Sequence, residues 1–201
     1  MEPIVLASGS KRRQEYFRLL GLPFSIIAPE IDENIKEGPE PRELAEELAI
    51  RKVRKVIGYL KSRNPPWICG ADTLISMDDR VYGKAEDRDS AREMLKSLQG
   101  RAHQVVTAVA LYSGKTNTVD CRSVLSEVIF SPLLDDQIEW YLDSGEWQGV
   151  AGAYRIQGLG SCFISGIRGS YSSIVGLPIH EFYVMLRDNG YAYGYSEWAA
   201  P

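Results

Sequence analysis

The hydrophobic positions of this chain repeat with two different periods. Between about Glu43 and Ser62 they recur every three to four residues, which predicts a long amphipathic helix ended by the Asn-Pro-Pro that follows. Residues 103–112 and 118–130 instead have the composition of two long strands around a Ser-Gly-Lys-Thr-Asn turn. Because consecutive strands joined by a short turn pair antiparallel, the second pattern predicts a long hairpin.

Shorter segments extend the alternation of strands and helices along the chain. We predict strands within residues 3–10, 24–32, 67–76, 80–84 and 162–170, and helices within residues 10–20, 89–100, 135–145 and 179–190. This alternation predicts an α/β fold with a mixed central sheet and flanking helices. Since there is no repeat and no long linker, residues 1–193 are expected to form a single domain and residues 194–201 a C-terminal tail.

Composition limits the partners that this chain can attract. Its 201 residues carry a formal net charge of -4 and the pI is about 5.3, so overall charge favours neither nucleic acid nor an anionic membrane as a partner. No apolar run reaches the roughly 20 residues that span a bilayer, and the first residues lack the pattern of a signal peptide. We expect Cys69, Cys121 and Cys162 to be reduced core residues of a cytoplasmic protein, with no zinc site.

The predicted first helix begins with an electrostatic conflict. Ser10 is a plausible N-cap and Gly21 a C-terminal stop, yet Lys11, Arg12 and Arg13 all fall in the first turn. Cations there oppose the helix dipole at about 0.3–1 kcal/mol per charge. The small residues before the helix would let backbone N–H groups approach an anion, and a bound phosphate would resolve the conflict. The alternative is a solvated basic turn, and the spacing is not that of a P-loop.

Two further lysines are candidate phosphate ligands. Lys52 falls on the apolar stripe of the long predicted helix, where it either extends to the edge of the core or is held over a cleft to meet phosphate. Lys84 follows a short predicted strand, where a surface lysine is the ordinary interpretation.

Carboxylates and one amide complete the set of candidates. Asp72 directly follows a short apolar strand, where α/β sheets tend to bind ligands, so it could bind a cation, act as a general base or simply close the strand. Asp32 and Glu33 end another predicted strand and could supply a second carboxylate, although alone they suit a polar loop. Gln157 lies among glycines, either in an irregular turn or as an amide that recognises a base edge.

These segments, in this order and spacing, resemble the Maf family of nucleoside triphosphate pyrophosphatases. The resemblance covers about Ile4 to Leu186 and is carried by LASGS followed by two arginines, DE after a strand, GADT, GK, HQVVTAVAL, AGAYRIQGLG and GSYSSIVGLP. It implies a Maf/inosine-triphosphatase-like sheet in two lobes around a cleft, a homodimer, and hydrolysis of a nucleoside triphosphate to monophosphate and pyrophosphate with Mg²⁺ or Mn²⁺. The glycine-rich segment resembles the branch acting on dTTP and UTP, and modified pyrimidine nucleotides are further candidate substrates.

The resemblance also implies roles for individual residues. Asp72 matches the catalytic acidic position, and Glu33 matches a cleft carboxylate that could share a metal ion with it. The remaining matches fall into two groups: phosphate-binding positions at Ser8, Ser10, Arg13, Lys52 and Lys84, and substrate-choice positions at Arg12, Thr73 and Gln157. The implied triphosphate would occupy the cationic first turn, with a water activated by Asp72 attacking the α-phosphorus.

The sequence also departs from the family pattern. Lys11 and Ala85 stand where proline is usual, Val150 replaces a common lysine, Arg155 a glycine and Ser173 an asparagine or similar residue. These changes keep Asp72 and every matched phosphate ligand, but Arg155 leaves the dTTP/UTP preference open. Two other functions also stay open: a nucleotide-binding regulator of cell division with slow or no turnover, and an enzyme for phosphosugars or other anions on a similar sheet.

Overall fold

A seven-stranded mixed sheet organises the structure, a computed structural model that describes residues 1–31, 40–61, 65–78 and 80–194. The strands are β1 Ile4–Leu6, β2 Phe24–Ile26, β3 Trp67–Met77, β4 Arg80–Tyr82, β5 Ala102–Ser113, β6 Thr118–Phe130 and β7 Ile164–Arg168. The helices are α1 Lys11–Leu19, α2 Pro41–Leu60, α3 Arg88–Leu98, α4 Asp135–Asp143, α5 Tyr171–Val175 and α6 Ile179–Asp188, with a 3-10 helix at Leu159–Phe163.

The strand order is β2-β1-β3-β5-β6-β7, and β4 pairs with β3. The β1 strand runs parallel to β2 and β3, whereas β4 is antiparallel to β3 and β7 antiparallel to β6. Parallel neighbours need a crossover connection, which α1 supplies between β1 and β2. The prediction of an α/β fold with a mixed sheet is therefore confirmed.

The chain divides into two compact units. Unit 1 contains the described residues of Met1–Asp72, Ala108–Ser123 and Gly176–Pro201, and unit 2 those of Thr73–Thr107 and Val124–Val175. In unit 1 the core forms where α1 and α6 bring Phe17 and Phe182 together, with ring centroids 5.3 Å apart, over fully buried β1 side chains. Burying such a side chain contributes about 1.5–3 kcal/mol. In unit 2 aromatic rings from β5, β6, α4 and the 3-10 helix make a second core.

Local chemistry explains where the observed boundaries differ from the predicted ones. The long helix begins at Pro41, because a proline fits the first helical turn, where no N–H partner is needed. Asp87 caps α3, accepting from the backbone N–H of Ser90 at 2.7 Å, so the helix begins before the predicted Asp89. The β2 strand ends at Ile26, far short of the prediction, and the α5 and 3-10 helices were not predicted.

The cysteines only partly follow the expectation of buried core residues. All three are free thiols, but only Cys69 is buried; Cys121 is half-buried and Cys162 is exposed on the 3-10 helix. Burial raises the pKa of the Cys69 thiol to about 12, which keeps it protonated and unreactive. The core assignment is therefore wrong for Cys162. Separately, none of the helices in the described ranges combines the length and apolar character needed to cross a membrane.

Candidate active site

The turn from β1 into α1 is organised around a buried arginine. Arg13 is only 8% exposed; its Nη1 donates to Ser8 Oγ at 3.1 Å and its Nε donates to the carbonyl oxygen of Gly176 at 2.8 Å. The backbone N–H of Ser10 donates to the same Ser8 hydroxyl at 3.2 Å. Because a buried guanidinium is stable only when its N–H groups are bonded, Arg13 holds this turn in shape as well as carrying charge.

The charge conflict predicted for α1 is present in the structure. Ser10 occupies the N-cap position in extended conformation, but its side chain makes no capping hydrogen bond, and the first turn contains no acidic residue. Lys11 is exposed and Arg12 half-buried. Three cations thus stand where the helix already presents partial positive charge, which gives this turn the electrostatic character of an anion site.

The central feature of unit 1 is an ion pair between Lys52 and Asp72. Lys52 lies in the middle of α2 and Asp72 on β3, they are 8% and 7% exposed, and Nζ donates to Oδ1. Of the two possibilities for Lys52, extension to the edge of the core is excluded, because the ammonium is buried against the carboxylate.

Gly70 allows this pair to form. A Cβ atom built on Gly70 would lie 2.8 Å from the carbonyl oxygen of Ala49 and 2.9 Å from Val53 Cγ2, closer than side chains tolerate. The backbone of β3 can therefore approach α2 only with glycine here. Since residues two apart on a strand share a face, Gly70 and Asp72 both face α2, and the close approach brings the Asp72 carboxylate within reach of Lys52.

This arrangement defines what Asp72 can do chemically. The Lys52 ammonium neutralises the buried carboxylate and fixes its orientation, so that the charge is tolerated away from water. A carboxylate offers about four lone-pair positions, and accepting one N–H at Oδ1 leaves capacity for a water molecule or a cation. An oriented carboxylate with that capacity is what a general base requires.

Thr73, the next residue on β3, belongs to unit 2 and begins a chain of hydroxyl groups. Its Oγ1 lies 2.9 Å from Oγ1 of the fully buried Thr107, and Thr107 donates to the backbone carbonyl of Ser173 at 2.7 Å. A hydroxyl has one hydrogen, so Thr107 must accept from Thr73. The direction of the chain is thereby fixed. Ser173 contributes its carbonyl rather than its side chain, so its departure from the family pattern does not disturb this bond.

Lys84 lies beside the glycine-rich segment of unit 2. Its backbone forms an antiparallel bridge with Ala151, and the N–H of Gly152 donates to the carbonyl of Gly83 at 3.0 Å. Gly152 adopts a φ of 64°, a conformation that favours glycine, while Val150 is 4% exposed. The apolar residue at position 150 thus suits its buried location, and unit 2 places Lys84 next to the segment that leads to Gln157.

Gln157 is exposed, whereas Arg155 is held against the protein. Arg155 Nη2 donates to the carbonyl of Gln148 at 3.2 Å, and its backbone N–H donates to the hydroxyl of Tyr141 at 3.1 Å. Arg155 is half-buried, and its Nε lies away from solvent. A Cβ on Gly160 would lie 2.6 Å from the Arg155 carbonyl oxygen, so the turn closes tightly behind it.

The structure thus groups the predicted residues by unit. Unit 1 joins Ser8 to Arg13 and Lys52 to Asp72, and unit 2 contains Thr73, Lys84 and Gln157. Asp32 and Glu33 lie outside the described residues. Gly70 and Thr107 were not identified from the sequence as functional residues. Gly70 could have been noticed because it lies two residues before Asp72, on the same face of the predicted strand. Thr107 lies inside the HQVVTAVAL segment that carries part of the family resemblance.

The cationic turn of α1 and the buried Lys52–Asp72 pair have the chemistry of an enzyme site for a phosphorylated substrate. In a comparison with protein families, the family described as Maf-like protein matches residues 3–189. This chain therefore belongs to the Maf family.

Relatives with assigned names match over nearly the whole chain. The chain is 44% identical over 192 residues to the dTTP/UTP pyrophosphatase of Symbiobacterium thermophilum, covering 95% of this chain and 96% of the relative. It is 43% identical over 187 residues to the nucleoside triphosphate pyrophosphatase of Anaplasma phagocytophilum, covering 92% and 95%. Among solved structures, the nucleoside-triphosphatase / dITP/XTP pyrophosphatase of Mycobacterium abscessus matches at 14% identity over 92% of this chain and 93% of that one, with a TM-score of 0.43, too low to support a conclusion.

Proposed function

We propose that this protein hydrolyses nucleoside triphosphates between the α- and β-phosphates, releasing a nucleoside monophosphate and pyrophosphate, with dTTP and UTP as its substrates. Modified pyrimidine triphosphates are included in the proposed range. The names of the relatives support the reaction class. The observation that carries the proposal is the buried Lys52–Asp72 pair, because a protein that only binds a nucleotide has no need for an oriented base.

Phosphate binding is assigned to the cationic and hydroxyl side chains. The guanidinium groups of Arg12 and Arg13 would meet phosphate oxygens at the start of α1, with Ser8 and Ser10 lining the turn. Lys84 supplies further positive charge, and Lys52 contributes its ammonium together with the Asp72 carboxylate that it neutralises. Burial of Arg13 strengthens this assignment, since a guanidinium fixed by Ser8 and Gly176 loses little side-chain freedom when a ligand binds.

In the proposed reaction Asp72 accepts a proton from a water molecule that attacks the α-phosphorus in line, and pyrophosphate leaves from the opposite side. Lys52 keeps the carboxylate oriented throughout. The protein then contributes mainly position and charge, as is typical of phosphoryl transfer.

A divalent cation, bound mainly through the substrate, is part of the proposal. Across the described ranges, no group of three or more His, Cys, Asp and Glu side chains is placed to hold an ion. Mg²⁺ and Mn²⁺ prefer carboxylate and phosphate oxygens, and Mg²⁺ commonly uses one or two carboxylates together with substrate phosphates. Asp72 would be one such carboxylate and Glu33 the proposed second. When bound, the ion neutralises charge on the phosphate oxygens.

Base choice is assigned to Gln157, with Thr73 and Arg12 as contributors. The Gln157 side-chain amide can donate to O4 and accept from N3–H of uracil or thymine, whereas cytosine presents the opposite pattern. Its exposure leaves the amide accessible to a ligand. Because the guanidinium of Arg155 is engaged with the Gln148 carbonyl, Arg155 is not assigned to the base.

The deciding experiment measures both pyrophosphate and orthophosphate released from UTP, dTTP, CTP and the purine triphosphates, with Mg²⁺ and with Mn²⁺. We expect pyrophosphate first, and UTP and dTTP ahead of the others by roughly ten- to a hundredfold in kcat/KM. Orthophosphate appearing first would mean attack at the γ-phosphorus and would overturn the proposal. Tight nucleotide binding without turnover would favour the regulator instead. The homodimer and the cytoplasmic location stay proposals, the first testable by sedimentation.

A further inference from the structure

Unit 2 contains a buried hydrogen bond between His103 and Tyr154 that the proposed chemistry does not use. His103 on β5 and Tyr154 are 2% and 4% exposed, and His103 Nε2 lies 2.8 Å from the Tyr154 hydroxyl. Both rings also pack edge-on against Phe130, with centroids 5.1 Å and 4.8 Å away. The bond therefore lies inside an aromatic core, where two polar side chains are unusual.

A purely structural core would not need this pair. Burial lowers the pKa of His103 to about 4, so its ring is neutral near pH 7, and its Nδ1 is buried with no hydrogen-bond partner in the described part of the chain. An unbonded buried nitrogen is unfavourable, and an apolar ring of similar size would avoid it. The hydrogen bond restricts the position of the Tyr154 side chain and of the backbone that carries it.

A second hydroxyl fixes the next residue of the same segment. Tyr141 is fully buried in α4, its ring packs on Phe163, and its hydroxyl accepts from the backbone N–H of Arg155 at 3.1 Å. Residues 154 and 155 are thus attached to two different elements of unit 2, and Gln157 follows two residues later. A change in either attachment can therefore shift the backbone that carries Gln157.

We propose that His103, through Tyr154, and Tyr141, through Arg155, are positioning residues that set the location of Gln157 for recognition of the pyrimidine base. This inference rests on the proposed function, in which Gln157 reads the base. Selectivity for UTP over CTP then depends on two buried hydroxyl groups that do not contact the substrate.

Tyr154→Phe tests this, because it removes the hydroxyl and keeps the ring. Tyr112→Phe is the matched control: Tyr112 is 6% exposed against 4% for Tyr154, and its hydroxyl bonds Asn117 at 3.1 Å in unit 1. We expect Tyr154→Phe to lower the UTP-to-CTP ratio of kcat/KM at least about threefold, chiefly by raising KM for UTP. The value of kcat, and the inhibition of the enzyme by added pyrophosphate, should stay unchanged. The control should keep the parent ratio. Tyr141→Phe should act in the same direction as Tyr154→Phe and serves if the latter does not fold.

The outcomes separate this inference from the function beneath it. If Gln157→Ala removes the preference for UTP but both tyrosine variants keep the ratio within twofold of the parent, the positioning role is wrong and base reading by Gln157 stands. If Gln157→Ala leaves the preference intact, or the parent has none, base reading by Gln157 fails and this inference fails with it. Pyrophosphate release remains a separate measurement in either case.

Discussion

Replacing Asp72 with asparagine removes the proposed base and one partner of a buried ion pair. The amide keeps the size of the side chain but has neither negative charge nor basicity. General bases typically contribute about 10²–10⁴-fold, so kcat for UTP should fall by that factor. Because Lys52 would stay buried beside a neutral group, the free energy of unfolding should also fall by about 3 kcal/mol, the lower end for a broken buried pair, since the amide oxygen still accepts a hydrogen bond.

The second effect requires a design that separates catalysis from stability. The double variant Lys52→Met/Asp72→Asn replaces the pair with neutral groups, so its urea unfolding midpoint should return toward the parent while kcat stays low. Asp89→Asn removes the same charge from a side chain that is 87% exposed, and it should change stability by less than about 1 kcal/mol with kcat intact.

Two assays give the answer: pyrophosphate release at saturating UTP and urea denaturation followed by circular dichroism. If Asp72→Asn lost less than about tenfold in kcat, the base would lie elsewhere, with Glu33 the next candidate. Partial recovery of the rate at high Mg²⁺ concentration would instead identify Asp72 as mainly a metal ligand.

Three further predictions concern selectivity, packing and pH. Gln157→Ala should flatten the preference for UTP over CTP with little loss of phosphate affinity; unchanged selectivity in a kcat/KM comparison would move base reading elsewhere, with Arg155→Gly the next variant. Gly70→Val should lower the Tm and kcat together because it forces α2 away from β3, whereas Gly58→Ala, in open space on the same helix, should raise stability by about 0.5–1 kcal/mol; equal Tm values would contradict the packing account. The pKa of His103 in the folded protein is about 4, so between about pH 6.5 and 4 the unfolded chain binds a proton on this residue that the folded chain does not. The free energy of unfolding should therefore fall by up to about 3 kcal/mol as pH falls through that window. His103→Asn should abolish this contribution, as measured by urea titrations at several pH values.

The long elements could be predicted from the sequence because their signals are local. The hairpin of β5 and β6 matches residues 103–112 and 118–130 within a residue or so, and the long amphipathic stripe gives α2. Short elements carry too few residues for a period: β2 was predicted three times too long, and the five-residue helices α5 and Leu159–Phe163 were not predicted.

The candidate residues could be named, but their contacts could not. Lys52 and Asp72 are 20 positions apart, and whether they meet depends on a close approach that only Gly70 permits. Arg155 shows the same limit, because its guanidinium direction follows from the Gln148 carbonyl and not from its own neighbours in sequence. Side-chain contacts that depend on tertiary packing cannot be predicted from the periodicity of the sequence.

The anchoring of Arg13 has a consequence for how this protein is made. Its Nε bonds a carbonyl that lies 163 residues later in the chain, at Gly176. At a synthesis rate of about 5–20 residues per second, the guanidinium is translated roughly 8–33 s before its acceptor exists. During that interval Arg13 lacks this acceptor, so a nascent chain that stops short of Gly176 lacks the completed turn. The turn between β1 and α1, at the start of the chain, is thus among the last parts of the molecule to gain all its contacts.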